Sequence, residues 1–337
     1  MTRSYPPYAF RHRSLAETLS NLAISEPSRI YAAVPKTNDL NDGFLDVTFS
    51  DMERMANALT GWIEDTWGRS SSFETIAYVG VPDLRSAVIF FAVLFLPSPR
   101  NPAEVNAALL KQTECSKIIY TGEVKNVVDM ICGSTKASVV AVAPFQDLLR
   151  MVPHTNDSPK KAFDDAKNDP ILILHSSGST GLPKPITMTN GTFAMLDSER
   201  FLPTTPGRVN RDFSIWDFQG GGKFFTIFPY FHLAGFLSLV INPVFTEAST
   251  PIIGPPLAAP SGALMKEVLK QQKIKALYIP PSIAEQLLAE PDGLDYFRGL
   301  DFICYTGDPF SPDAGKRLVG LTDLVPLYGS TEAFQTP

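Results

Sequence analysis

The apolar run Ile171-Leu172-Ile173-Leu174 passes without a break into His175-Ser176-Ser177-Gly178-Ser179-Thr180-Gly181-Leu182-Pro183-Lys184-Pro185. The run is too short for a helix and reads as a buried strand, so the chain is expected to contain a sheet with a Gly/Ser/Thr loop at the end of one strand. Gly178 and Gly181 permit positive φ and close backbone approach, which lets successive amides point at one anion. Ser176, Ser177, Ser179 and Thr180 add hydroxyl donors, and Lys184 adds a mobile positive charge. Charge-assisted donors of this kind replace the water around tri- or pyrophosphate oxygens. The loop therefore predicts nucleotide-phosphate binding; a solvated turn of the same composition is the simpler alternative, and the spacing argues against it.

A Walker loop, G-x-x-x-x-G-K-[ST], needs Gly and Lys side by side. Here Leu182-Pro183 separates Gly181 from Lys184, and Gly222-Lys223 and Gly315-Lys316 lack the earlier Gly and the following hydroxyl residue. A serine hydrolase is also disfavoured, because no G-x-S-x-G elbow occurs. Four histidines (His12, His154, His175, His232) without close Cys or His partners argue against a zinc site. His175 reads as the end of a strand.

Strands and helices alternate on both sides of the loop, which predicts a parallel α/β fold. Ser50-Asp51-Met52-Glu53 has capping-box spacing, and Met52, Met55, Ala56, Leu59, Trp62 and Ile63 follow at helical intervals up to Gly68. Strands are expected at Thr75–Val81, Lys117–Tyr120, Leu277–Ile279 and Phe302–Tyr305, and helices at Asp83–Val93, Pro102–Gln112, Ala263–Gln272 and Pro281–Ala289. The densest turn region is Pro251–Gly262, and the polar stretch 151–169 suits an exposed connection between two lobes. At Val93-Leu94 a helical run meets a strand-like one with no turn residue between; either the helix ends earlier or a short segment is lost there.

With 337 residues, 44% of them hydrophobic, the chain can bury a large core. A net charge of −6 offers no field for a polyanion, so nucleic acid is not expected as a partner. Cys115, Cys132 and Cys304 form no C-x-x-C pair, which fits a reducing, cytoplasmic setting. Residues Met1–Arg13 lack a signal-peptide apolar run, and the longest such run, Ala87–Leu96, is too short to span a bilayer and meets Pro97, so no membrane segment is expected.

The segment Ser176–Lys184 resembles the phosphate signature of the adenylate-forming (AMP-binding) superfamily, which includes acyl-CoA synthetases, beetle luciferases and adenylation domains of nonribosomal peptide synthetases. Pro185 stands where most members carry Gly, as in fungal synthetase-like proteins that join an adenylation domain to a carrier and a reductase or thioesterase. Two further segments fall in the family's order. Phe228-Pro229-Tyr230-Phe231-His232-Leu233-Ala234-Gly235 is similar to the segment flanking the carboxylate pocket, and Tyr328-Gly329-Ser330-Thr331-Glu332 to the nucleotide- and magnesium-binding signature. Tyr305-Thr306-Gly307-Asp308-Pro309 takes the place of the Gly-Gly-Ala-Pro strand end that packs on adenine, with Asp308 departing from its small residue.

The resemblance implies roles for these residues. ATP would be held by Ser176, Ser177, Gly178, Ser179, Thr180, Gly181, Lys184, Thr306, Gly307, Asp308, Tyr328, Gly329, Ser330 and Thr331. Glu332 would hold Mg²⁺, Lys184 and Thr331 would meet phosphate or carboxylate oxygens, and His232 would sit beside the substrate carboxylate. A packed histidine in an aromatic cluster is the alternative for His232. The implied reaction is carboxylate adenylation followed by transfer of the acyl group to a carrier-bound phosphopantetheine or to CoA; a non-catalytic nucleotide- or acyl-binding fragment is a further reading.

No Asp follows Phe228 in its segment, which points to an aryl, α-keto or fatty acid rather than an α-amino acid. The aromatic residues around it (Phe224, Phe225, Phe228, Tyr230, Phe231, Phe236) are expected to be mostly core. The implied architecture is two αβα lobes, about 73–169 and 170–337, with residues 1–72 packed on the second. The family's ribose-binding Asp, its hinge and its small C-terminal domain with a catalytic lysine lie beyond Pro337, so a truncated adenylation module is expected.

Overall fold

The computed structural model describes residues 12–70, 72–92, 97–153, 161–176, 183–198, 221–246 and 249–335. The chain divides into two compact units, Met1–Ser28 with Phe49–Pro203 and Arg29–Thr48 with Thr204–Pro337. This division differs from the lobes expected from sequence in two places. Residues 170–203 group with the first unit, and of residues 1–72, expected on the second lobe, only 29–48 group there while 1–28 and 49–72 group with the first.

Helix α1 (Leu15–Ser25) opens the described part of the first unit and is capped by Ser14, whose hydroxyl accepts from the Glu17 amide. The chain then supplies strands β1 (Ile30–Pro35) and β2 (Phe44–Thr48), an antiparallel pair belonging to the second unit. Helix α2 (Phe49–Trp67) follows β2 at once. The expected capping box is therefore not used: Ser50 lies inside the first turn, where its amide donates to the Pro27 carbonyl at 3.3 Å. The expected apolar stripe holds, with Met52, Met55, Ala56, Leu59 and Ile63 buried.

In the first unit β3 (Ile76–Val79), β4 (Lys117–Thr121) and β5 (Ser138–Val142) form a parallel sheet in that order. Between β3 and β4 lie α3 (Arg85–Phe90) and α4 (Ala103–Gln112), and α5 (Lys125–Cys132) joins β4 to β5. The Asp83 carboxylate starts α3 by accepting the Arg85 amide at 2.9 Å. The Val93-Leu94 junction lies outside the described residues. Ala77 and Val79 pack with Leu109, Ile118, Val128 and Ile131 into one core. Short helix α6 (Phe145–Leu148) precedes the polar stretch 151–169 and α7 (Phe163–Ala166) lies within it; the stretch falls inside this unit and does not connect the two units as expected.

Strand β6 (Pro170–Ser176) is longer than the apolar run that predicts it, and it pairs antiparallel with β7 (Lys184–Thr189). Helix α8 (Asn190–Ser198) follows and buries Asp197, whose two carboxylate oxygens accept from Arg13 at 2.7 Å each.

The second unit holds a seven-stranded sheet. Its strands, in chain order after β2, are β8 (Gly222–Thr226), β9 (Ser249–Ile253), β10 (Ala276–Tyr278), β11 (Phe302–Tyr305) and β12 (Asp323–Pro326). They lie in the order β12-β11-β10-β8-β9-β1-β2, all neighbours parallel except β1 and β2. The turn region expected from Pro251 is thus corrected at its start: Pro251, Ile252 and Ile253 close a buried inner strand. Flanking strands on both sides outweigh the proline's missing donor.

Helix α9 (Leu233–Phe236), a π-helical turn at Leu237–Ile241 and α10 (Asn242–Phe245) form one continuous segment between β8 and β9. Helices α11 (Gly262–Gln271), α12 (Pro281–Leu288) and α13 (Pro312–Leu318) complete the crossovers. Ser261 and Ser311 cap α11 and α13. Phe225, Ile252, Leu277 and Ile303 of the sheet pack with Met265, Val268 and Leu287 of the helices. A two-residue ribbon, β13 (Gly329–Ser330) with β14 (Phe334–Gln335), follows β12. No helix among the described residues is long and apolar enough to cross a membrane.

Candidate functional site

In the first unit the expected phosphate loop is the connection of a hairpin. Ser176 ends β6, Lys184 begins β7, and the two are register partners. Antiparallel partners have Cα atoms about 5 Å apart, so the loop's ends are held together by backbone pairing. Leu172, Leu174 and His175 are buried, Ser176 is half-buried and Lys184 is exposed. Ser177, Gly178, Ser179, Thr180 and Gly181 lie outside the described residues.

In the second unit three sequence-predicted segments emerge from one edge of one sheet. Strands β8, β10, β11 and β12 are adjacent and parallel, so their carboxyl ends lie side by side. Phe228–His232 follows β8, Thr306–Asp308 follows β11 and Tyr328–Glu332 follows β12. Neighbouring strands are about 4.8 Å apart, which places the ends of β11 and β12 about one strand spacing from each other and that of β8 two from β11.

His232 is exposed and stands at the amino end of α9 in extended backbone, its amide donating to the Pro229 carbonyl at 2.9 Å. Its ring lies 5.0 Å from that of Phe231. Gly235 allows the loop to sit on the helix, since a Cβ there would overlap the carbonyl oxygens of Pro229 and Phe228. Below it the buried hydroxyls of Thr226 and Ser238 meet at 3.0 Å, and Ser238 also donates to the Ala234 and Gly235 carbonyls. Tyr31 of β1 donates to the Leu239 carbonyl in the π-helical turn at 2.7 Å. Phe224, Phe225, Tyr230, Phe231 and Phe236 are buried and serve the core, as expected; Phe228 is half-buried.

Thr306 is half-buried, and Gly307 turns the chain at φ +100°, a value that suits glycine. Asp308 is exposed. The Leu327 amide donates to the Tyr305 carbonyl at 2.7 Å, which carries the pairing of β11 and β12 up to the two segments. Tyr328 is 80% exposed, Gly329 and Ser330 are exposed, Thr331 is half-buried and Glu332 is exposed. The Ser330 hydroxyl accepts from the Ala333 amide at 3.1 Å and shapes the turn bearing Thr331 and Glu332. Burial pushes the Cys304 thiol of β11 up to about 12 and raises the Tyr278 phenol of β10, so the strands beneath the segments carry no charge there.

Sequence reasoning missed the supports, Thr226, Ser238 and Tyr31. Only Gly235 lay within a recognisable segment; hydroxyls brought together from separate elements leave no signature in a single chain.

The segments gather at the carboxyl ends of parallel strands, where α/β sheets generally bind their ligands. The chain belongs to the AMP-binding enzyme family, whose profile matches residues 40–335. It is 28% identical over 337 residues to an isocyanide synthase-NRPS hybrid of Aspergillus fumigatus, covering 97% of this chain and 22% of that protein. It is 28% identical over 327 residues to a carboxylic acid reductase of Neurospora crassa, covering 93% of this chain and 30% of that protein. The chain thus spans less than a third of the length of these two relatives. In fold it is similar to the luciferase-like enzyme of the mealworm Zophobas morio (TM-score 0.74, 18% identity, 97% of this chain and 74% of that one). It is also similar to the N-terminal subdomain of Klebsiella oxytoca NpsA in complex with 3-hydroxyanthranilyl-AMSN (TM-score 0.72, 14% identity, 98% and 77%). The fold is that of the N-terminal domain of adenylate-forming enzymes.

Proposed function

We propose that the chain adenylates a carboxylic acid. A carboxylate oxygen attacks the α-phosphorus of ATP, the bond to the bridging β-phosphate oxygen breaks, and pyrophosphate leaves with the bonding electrons to give acyl-AMP. The acyl group then passes to the phosphopantetheine thiol of a carrier domain outside this chain, releasing AMP, as a step of fungal secondary metabolism. The observation that carries this reading is the emergence of the His232, Thr306–Asp308 and Tyr328–Glu332 segments from one edge of adjacent parallel strands.

Ser176 to Gly181 and Lys184 bind the β- and γ-phosphates, with Lys184 exposed at the head of β7. Tyr328, Gly329, Ser330, Thr306, Gly307 and Asp308 flank adenine, and Thr331 donates to an α-phosphate or carboxylate oxygen. Magnesium bound largely by phosphate oxygens needs one or two carboxylates from the protein, a demand that the exposed Glu332 fits. When bound, the ion offsets phosphate charge. His232, exposed at the amino end of α9 and backed by the buried Phe231 ring, orients the substrate carboxylate through its ring N–H.

The absence of Asp from residues 228–236 favours an aryl, α-keto or fatty acid over an α-amino acid. Similarity to the NpsA subdomain, whose partner is an aryl acyl-adenylate analogue, supports an aryl acid. The Neurospora reductase supports a downstream reductase. A cytoplasmic setting suits ATP use and the three free thiols.

Calorimetric titration with ATP·Mg²⁺, beside carboxylate-dependent pyrophosphate exchange over aryl, α-keto, fatty and α-amino acids, tests this. Lys184→Ala should weaken ATP binding at least tenfold without moving the thermal midpoint of the nucleotide-free protein, because the side chain is exposed. Unchanged ATP binding would overturn the assignment.

A further inference from the structure

The first unit contains a cavity of about 240 Å³ that no part of the proposed reaction uses. Its floor is Ile63, Ile76, Leu172 and Ile173, and its mouth carries the rings of Trp67 and Phe73. It opens at the amino ends of β3, β4 and β6, with Ile76, Lys117 and Pro170, their first residues, in its wall. Ser176, which leads into the phosphate loop, closes the opposite end of β6. The wall reaches Ile173, three residues or roughly 10 Å of strand short of Ser176, and no residue of the described loop ends lines it.

Two features restrict what this space can take. Charged groups on the rim are paired, Lys117 with Glu74 at 2.9 Å and Arg69 with Glu64 at 3.4 Å, and a charged ligand would have to displace a partner. Ammonium groups already lie by both rings, Lys117 at 5.8 Å from Trp67 and Lys161 at 5.3 Å from Phe73, which disfavours a second cation. Phe73 is 61% exposed at the mouth, an apolar surface that a seated ligand would cover. A dry cavity of about 150 Å³ suffices for benzene.

We infer that this cavity is a second small-molecule site, selective for an uncharged aromatic of one or two rings. Its apolar floor removes the ring from water; Thr75 on its wall offers a hydroxyl to a phenol-type group, and the Thr60 hydroxyl, which donates to the Ala56 carbonyl at 2.9 Å, can accept from one.

The test is calorimetric titration of the whole chain with p-cresol, benzoate and benzylamine, repeated with ATP·Mg²⁺ present. Saturable p-cresol binding is expected, at least tenfold tighter than either charged analogue and not displaced by the nucleotide. Ala92→Phe and Thr60→Phe, each filling the cavity from a half-buried wall position, should each weaken it tenfold or more. Circular dichroism identifies which of the two variants folds. Absence of saturable p-cresol binding, equal binding of benzoate or benzylamine, displacement by ATP·Mg²⁺, or full binding by a folded filled variant would each overturn the inference.

Discussion

Single atoms decide two properties of this protein. Gly235 has no side chain, and a Cβ would meet the Pro229 carbonyl oxygen; neither backbone element can give way without moving the His232 loop. Gly235→Ala should therefore cost about 3 kcal/mol in urea unfolding, in the range of overpacked sites. A stability change under 0.5 kcal/mol would show that the loop yields freely. The thiols act through pH. Burial raises Cys115 to about 11 and Cys304 to about 12 from the usual 9.0. The unfolded thiols lose their protons first, so the stability due to these groups is full below pH 9 and falls as pH rises towards the folded values. The slope is about 1.4 kcal/mol per pH unit for each thiol. Cys304→Ala should flatten the fall of the urea midpoint between pH 9 and 10, before Tyr31 and Tyr278 join it; an unchanged slope would refute the assignment. The local signal for such residues is uneven: glycine in a recognised segment can be read in advance, whereas the depth of Cys304 depends on strands and helices far away in sequence.

At the scale of elements, the antiparallel return of β7 explains how a loop rich in Gly, Ser and Thr keeps a definite base, since Ser176 and Lys184 are fixed as partners. The apolar run announced β6, but β7 alternates too weakly to stand out (Lys184-Pro185-Ile186-Thr187-Met188-Thr189), and pairing made it a strand. Similarly, Ser50 had the right spacing to cap α2, yet the direct passage from β2 started the helix at Phe49. Helix α8 is tied to the residues before α1 by Arg13, which grips a fully buried Asp197 through two bonds. Removing the guanidinium takes two charge-assisted bonds from a buried carboxylate, so Arg13→Ala should cost about 3–5 kcal/mol. Arg13→Lys should recover only part of this, because one ammonium cannot reproduce the two-point contact. Urea midpoints of the three proteins decide; equal stability of wild type and Arg13→Ala would dismiss the contact.

For the whole molecule, nucleotide binding should appear as stability. ATP·Mg²⁺ at a hundred times its dissociation constant should add about 2.7 kcal/mol to unfolding and raise the thermal midpoint. Calorimetric scans with and without nucleotide test this, and a midpoint indifferent to saturating ATP·Mg²⁺ would count against a native nucleotide site. The sequence by itself determined the α/β class and the order of the site segments, because apolar runs, Gly/Ser/Thr loops and the Lys184 spacing are local and each constrains the backbone where it stands. Tertiary structure decided the rest. It placed β1 and β2 in the second sheet, made the stretch from Pro251 to Ile253 an inner strand, and lined up three distant segments on one parallel edge. Those outcomes depend on which strands become neighbours, and neighbour choice is set by burying apolar faces against partners hundreds of residues away rather than by any local pattern.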